Sequence, residues 1–113
     1  MGAFNILVTD ITCDNCQNTF EGKLQFKFGD TWQYVYKVGD KIKWEGNDIG
    51  KAAIRKVKVY GILEDNTCLK CGKKVGLCEF DIIIENDIIK GVEKMKDIRD
   101  YYPQDGNYQI IEE

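Results

Sequence analysis

Two pairs of cysteines, each of the form Cys-x-x-Cys, constrain this chain more than any other feature. The pairs are Cys13-Asp14-Asn15-Cys16 and Cys68-Leu69-Lys70-Cys71, with 51 residues between them. Two residues between thiols let one tight backbone turn aim both sulfurs at a single point, and two such turns supply the four soft ligands that tetrahedral Zn²⁺ prefers. We therefore expect Cys13, Cys16, Cys68 and Cys71 to hold one Zn²⁺.

The composition favours a structural role for this metal. The chain has no histidine, which excludes Ser-His-Asp and Cys-His catalysis and imidazole metal ligands. Four cysteine ligands leave no position on the metal for water or substrate. The sequence also lacks a phosphate-binding loop and a dinucleotide fingerprint. Because Asp81, Glu85 and Asp87 match the polar face of a strand, we predict that the protein is not an enzyme.

Residues beside the cysteine pairs refine this prediction. Gly72 directly follows the second pair, where a metal-binding turn needs a positive φ that glycine adopts without steric cost. Gln17 takes the equivalent place after the first pair. Cys78 is predicted to be a small buried hydrophobe outside the site.

Alternating apolar and polar residues predict a mainly β fold in a single domain over residues 1–113. Strands are expected over residues 20–28, 32–38 and 41–44, joined by turns at Gly29-Asp30 and Gly39-Asp40. This antiparallel meander or small barrel would place Trp32, Tyr34, Tyr36 and Trp44 mostly in the core. Residues 45–50 are expected to form a loop.

The second half of the chain is predicted to contribute two further strands and a helix. Residues 55–63 alternate between apolar and polar side chains, and residues 78–85 are rich in β-branched side chains. Residues 88–102 carry a rough helical stripe that Pro103 would end. Residues 108–111 are expected to return as an edge strand.

The cysteine pairs and Gly72 resemble the knuckles of a four-cysteine zinc ribbon. The 51 residues between the knuckles imply a sheet or small barrel inserted into such a ribbon. Residues 36–42 are similar to the turn of SH3-like and OB-type small barrels. Iron in place of zinc, as in rubredoxin-like proteins, stays open at this point.

Charge is unevenly distributed along the chain. Residues 1–78 have 12 basic and 9 acidic side chains, whereas residues 79–113 have 4 and 10. A small non-catalytic protein-interaction module with a basic protein partner is therefore expected, of the kind that acidic inhibitor or immunity-type proteins represent. Nucleic-acid binding is the alternative, because seven basic residues lie among the aromatics of residues 37–58. Thiol redox chemistry at the cysteine pairs is a more distant one.

The N-terminal residues bear on localisation. Their apolar run is too short to span a membrane and lacks the cationic start of a signal peptide. We therefore expect a cytoplasmic protein that does not bind membranes, in which paired thiols bind metal and do not form disulfides.

Overall fold

The computed structural model describes residues 4–13, 15–46, 48–64, 67–74, 79–95, 101 and 107–112. This part of the chain is mainly β, and its main sheet is an open, curled half-barrel. The strands are β1 (Asn5–Thr12), β2 (Thr19–Phe26), β3 (Gly29–Asp30), β4 (Val35–Lys37), β5 (Asp48–Ile49), β6 (Lys56–Leu63), β7 (Glu79–Glu85), β8 (Ile88–Lys94) and β9 (Tyr108–Glu112). No described segment forms an apolar helix of membrane-spanning length.

The main sheet has the order β4-β1-β2-β6-β7-β8. Each neighbouring pair from β1 to β8 is antiparallel, whereas β4 runs parallel to β1. One edge of β6 pairs with β7, and its other edge is shared by β2 and β9. The strands β3 and β5 form a separate two-stranded sheet.

The core lies on one face of the curled sheet, because strand residues alternate between buried and exposed positions. In β2, for example, Phe20, Leu24 and Phe26 are buried while Glu21 and Lys23 are exposed. The hydrophobic cluster consists of Leu7, Ile11, Cys13, Phe20, Leu24, Phe26, Phe28, Tyr36, Ile42, Ile54, Val57, Val59, Leu63, Cys68, Phe80, Ile82, Ile84 and Ile89. Two of the four predicted metal ligands therefore belong to the core.

The predicted meander over residues 20–44 is wrong after its first strand. β2 has its neighbours in β1 and β6, so the chain that follows β2 pairs elsewhere. Only Val35–Lys37 of the expected second strand is extended, and it pairs with β1. Gly29–Asp30 is a buried strand and not a turn, and it pairs with Asp48–Ile49 inside the expected loop.

The predicted C-terminal helix is also wrong where the structure describes it. Ile88–Lys94 forms strand β8, which pairs with β7. The hairpin turn at Asn86-Asp87, with φ of 51° and 68°, reverses the chain and brings Ile88–Lys94 beside β7, where pairing decides the conformation. Residues 96–100 and 102 of the predicted helix lie outside the described residues. The edge strand predicted at residues 108–111 is confirmed as β9.

The four aromatic residues predicted to lie mostly in the core differ in how deeply they are buried. Tyr36 is buried, and Tyr34 and Trp44 pack against the core as partly buried residues. Trp32, in contrast, is 68% exposed. Alternation placed Trp32 inside, but residues 31–34 are not a strand, so the alternation does not apply to it.

Candidate metal centre

The structure brings the four cysteines of the two pairs together in space. Their sulfur atoms all lie within 4.8 Å of one another. Cys13 Sγ lies 3.8 Å from Cys71 Sγ, and Cys16 Sγ lies 3.7 Å from Cys68 Sγ. A tetrahedron with metal–sulfur bonds of about 2.3 Å has edges of about 3.8 Å. The four thiols could therefore hold one metal ion.

The first cysteine pair lies in the turn between β1 and β2. Cys13 N–H donates to the carbonyl of Asn18, and Gln17 N–H donates back to the carbonyl of Cys13, both at 2.9 Å. Asn15 N–H points at Cys13 Sγ at 3.4 Å. Gln17 has a φ of 61°, which confirms that this position needs the left-handed region.

The second cysteine pair repeats the same pattern. Cys68 N–H donates to the carbonyl of Lys73 at 2.8 Å, and Gly72 N–H donates to the carbonyl of Cys68 at 2.9 Å. Lys70 N–H points at Cys68 Sγ at 3.3 Å. Gly72 has a φ of 77°, so the predicted positive φ is confirmed. The two knuckles therefore share one backbone geometry.

The flanking chain has the same register at both knuckles. Thr12 pairs with Thr19 around the first knuckle, and Thr67 bridges Lys74 around the second. In each case the residue before the first cysteine faces the residue six positions after that cysteine. The Asn15 side-chain amide also donates to the Lys74 carbonyl at 2.9 Å, which joins one knuckle to the other. No sequence pattern pointed to this bond.

Burial differs between the first and second cysteine of each pair. Cys13 and Cys68 are buried, Cys16 is partly buried and Cys71 is exposed. The cluster therefore lies at the edge of the core, with one sulfur-bearing residue at the surface. The exposed Lys70, Lys73 and Lys74 are near the second knuckle in sequence, where positive charge offsets that of thiolates.

The thiols differ in acidity because their surroundings differ. Burial raises the pKa of Cys68, but the N–H groups of Cys71 and Lys70 and the two thiols of the first knuckle outweigh it and lower the pKa to about 7. At Cys71, the Lys73 N–H lowers the pKa, but burial and the three neighbouring thiols raise it to about 11. Cys68 therefore loses its proton before Cys71 does.

The carboxylates considered for catalysis have structural partners. Asp81 is buried, accepts a hydrogen bond from the Tyr101 hydroxyl at 2.5 Å and lies 3.8 Å from Lys58 Nζ. Asp87 accepts the N–H of Ala53. Asp81 and Glu85 are four residues apart on one strand, a separation of about 13 Å. Cys78 lies outside the described residues.

No protein-family model, no curated protein and no solved structure matches this chain. The function of the four-thiol cluster therefore has to be inferred from the geometry and chemistry of the molecule itself.

Proposed function

We propose that the protein binds one structural Zn²⁺ through Cys13, Cys16, Cys68 and Cys71 and acts as a non-catalytic protein-interaction domain. The observation that carries the metal assignment is the proximity of the four sulfurs, which all lie within 4.8 Å of one another, with two of the separations at 3.7 and 3.8 Å. The resemblance to zinc-ribbon knuckles and the N–H groups aimed at the first sulfur of each knuckle support it. A four-sulfur shell leaves no position for substrate.

The metal would stabilise the fold by joining distant parts of the chain. In the unfolded state nothing holds the two knuckles together, whereas the bound metal closes a loop of about 50 residues. By analogy with a disulfide, closing such a loop stabilises the folded state by about 4 kcal/mol. Folding and metal binding would then be coupled.

Native mass spectrometry of the purified protein, before and after chelation, tests the metal assignment. We expect one zinc per chain, and we expect chelation to abolish the circular dichroism signal of the sheet. Cys71→Ser should lose tight zinc binding, while Cys78→Ser is the matched control and should keep it. A folded protein without metal would refute the assignment and favour thiol redox chemistry, and a coloured protein would indicate iron.

The interaction role rests on charge and on exposed backbone. The exposed carboxylates Asp10, Glu21 and Glu93 have no ion-pair partner within the described residues. Parts of the outer edges of β1 and β8 also lack a strand partner in that part of the chain. A basic protein would compensate these charges. Glu93→Lys combined with Glu85→Lys should reduce salt-dependent capture of basic proteins from a nuclease-treated lysate. Capture that is equal for the variant and the parent protein would refute this role.

One observation favours nucleic-acid binding as the second candidate. Trp32 is 68% exposed, close in sequence to Tyr34, whose ring lies 4.3 Å from Lys43 Nζ. Exposed aromatics beside cations can stack on unpaired bases. Titration of a labelled single-stranded oligonucleotide at low salt, with Trp32→Ala as the comparison, tests it. Micromolar binding that Trp32→Ala weakens would favour this function over protein binding.

A further inference from the structure

The open edge of β1 is the first of two strand edges that lie beside one cleft and lack a strand partner within the described residues. Ile6 N–H donates to the Tyr34 carbonyl, so Ile6 directs its backbone groups to the edge that β4 occupies. Backbone groups of alternate residues point to the same edge, and Asp10 and Thr12 therefore share it. Pairing with β4 ends at Val8. Within the described chain, the backbone groups of Asp10 and Thr12 have no strand partner on that side.

The outer edge of β8 is the second. Met95 N–H donates to the Glu79 carbonyl, so the backbone groups of Met95 point toward β7. Lys94 and Val92 have the opposite orientation and direct their backbone groups away from β7. The segment that covers this edge bonds to Ile89 and ends there. Beyond Ile89, the outer edge of β8 has no strand partner in the part of the chain that the structure describes.

Both unpaired edges line one cleft of about 370 Å³. Thr9 to Thr12 form one wall, Gly91 to Lys94 form the other, and Phe80 lies between them. Ile11 and Phe80 are buried members of the core, and Val92 packs against it. The cleft therefore has an apolar floor between two rows of unpaired backbone groups.

The chain itself closes the same gap at its other end. There β4 pairs with β1, and the segment that follows β4 bonds to β8: Gly39 N–H donates to the Ile89 carbonyl at 2.7 Å, and Ile89 N–H donates to the Asp40 carbonyl at 3.0 Å. At that end the chain supplies backbone partners for both strands: β4 pairs with β1, and the turn at Gly39-Asp40 bonds to β8. This precedent within the molecule argues that the occupant of the open end is also polypeptide backbone.

We propose that an extended segment of a partner protein inserts into this cleft and pairs with β1 and β8 together. The proposal rests on the protein-interaction function and specifies its binding site. Successive strands from β1 through β2, β6 and β7 to β8 are antiparallel, so β1 and β8 run in the same direction. One inserted strand can therefore be antiparallel to both, which is the slightly more stable pairing.

The side chains around the cleft define the chemistry of the inserted segment. Its alternate residues would face the floor at Ile11, Phe80 and Val92 and are therefore apolar. The residues between them would face the outer side, where Asp10 and Glu93 are exposed. Glu21 lies directly opposite Asp10 on β2, and like charges in that position repel. A basic residue there relieves this repulsion, so the segment alternates apolar and basic residues.

Fluorescence anisotropy with synthetic peptides tests the proposal on the full-length, zinc-loaded protein. The probe is a labelled seven-residue peptide of alternating valine and lysine, and we expect saturable binding with a Kd below about 1 mM. Methylating the backbone nitrogens of the probe removes strand pairing but keeps its charge, and should abolish binding. A peptide of alternating valine and glutamate should bind at least about tenfold more weakly.

Variants of the protein locate the site. Asp10→Lys combined with Glu93→Lys should weaken binding of the valine-lysine peptide about tenfold. Glu64→Lys, which reverses an exposed carboxylate that does not line the cleft, should leave binding unchanged. Circular dichroism and zinc content establish that each variant is folded.

Three outcomes would overturn the proposal: no binding of the valine-lysine peptide, equal binding of its methylated form, or equal weakening by Glu64→Lys. A concentration-dependent dimer that Asp10→Lys with Glu93→Lys dissociates would assign the cleft to a second copy and would also overturn it. If basic proteins are still captured in any of these cases, the interaction function stands and only the cleft assignment fails. If the protein neither binds the valine-lysine peptide nor captures basic proteins, the interaction function itself is refuted.

Discussion

The two knuckles share one backbone geometry but differ in the residue at the position with positive φ, and this difference predicts opposite effects of two substitutions. Gly72 has a φ of 77°, and Gln17 has a φ of 61° at the equivalent place. A residue with a Cβ in the left-handed region costs about 1–2 kcal/mol relative to its preferred conformation. Gly72→Ala should therefore destabilise the protein, while Gln17→Gly should stabilise it.

The magnitudes follow from the space around each residue. A Cβ at Gly72 would meet no atom within 4 Å, so Gly72→Ala introduces no clash and its cost is that of the backbone alone. Alanine also restricts the unfolded chain, which offsets about 0.4–1 kcal/mol. The net loss is about 1 kcal/mol for Gly72→Ala, and the same two terms give a net gain of about 0.5–1 kcal/mol for Gln17→Gly.

Thermal unfolding at a fixed excess of zinc measures both effects, because bound metal stabilises the folded state by mass action. One kcal/mol corresponds to about 4 °C in Tm for a domain of this size. Gly91→Ala is the matched control, since a Cβ there also meets no atom within 4 Å and its φ is not positive. If Gln17→Gly lowers Tm, or if Gly72→Ala changes Tm no more than Gly91→Ala does, the positive φ at these two positions does not contribute to the stability of the protein in the way argued.

Two further predictions concern the pH dependence of zinc affinity and the buried carboxylate of Asp30. Without metal, the pKa of Cys68 is lowered to about 7 and that of Cys71 is raised to about 11, so both thiols are protonated at pH 6 and zinc must displace their protons. Affinity for zinc should therefore rise from pH 6 to pH 8 in competition with a chromophoric chelator, and an affinity independent of pH would contradict thiolate ligation. Asp30 is fully buried, and neither carboxylate oxygen has a hydrogen-bond donor within the described residues. Asp30→Asn removes an uncompensated charge at nearly constant volume and should raise the free energy of unfolding by about 1–2 kcal/mol in a denaturant titration; a loss of stability would reveal a donor for that carboxylate.

The parts of the fold that the sequence predicts correctly are those with a long and regular pattern. Thr19–Phe26 and Lys56–Leu63 each alternate over eight residues, and Glu79–Glu85 is rich in β-branched side chains. Such a pattern buries one face of a strand whatever its neighbours are. Asn5–Thr12 was missed as a strand, although Leu7 and Ile11 are buried and lie on one face of it.

The wrong predictions concern segments whose conformation depends on a partner. Ile88–Lys94 has a rough helical stripe, but the turn at Asn86-Asp87 places it beside β7, and the backbone pairing outweighs a weak local preference. Gly29–Asp30 has the composition of a turn. It forms a short strand because Asp48–Ile49 pairs with it.

The sequence alone identified the two knuckles, because the spacing within each pair and the residue after it define a knuckle by local backbone geometry. That the knuckles meet across 51 residues depends on the fold. Gly72 could be assigned a positive φ for the same local reason. Only the tertiary structure decided that β1 and β8 approach each other across an open cleft, since strand order depends on contacts between residues far apart in the chain. Asp10, Thr12, Val92 and Lys94 have backbone groups without a strand partner in the described part of the chain. The sequence cannot show this, because nearly every residue carries the same backbone groups and the fold alone decides which of them find partners.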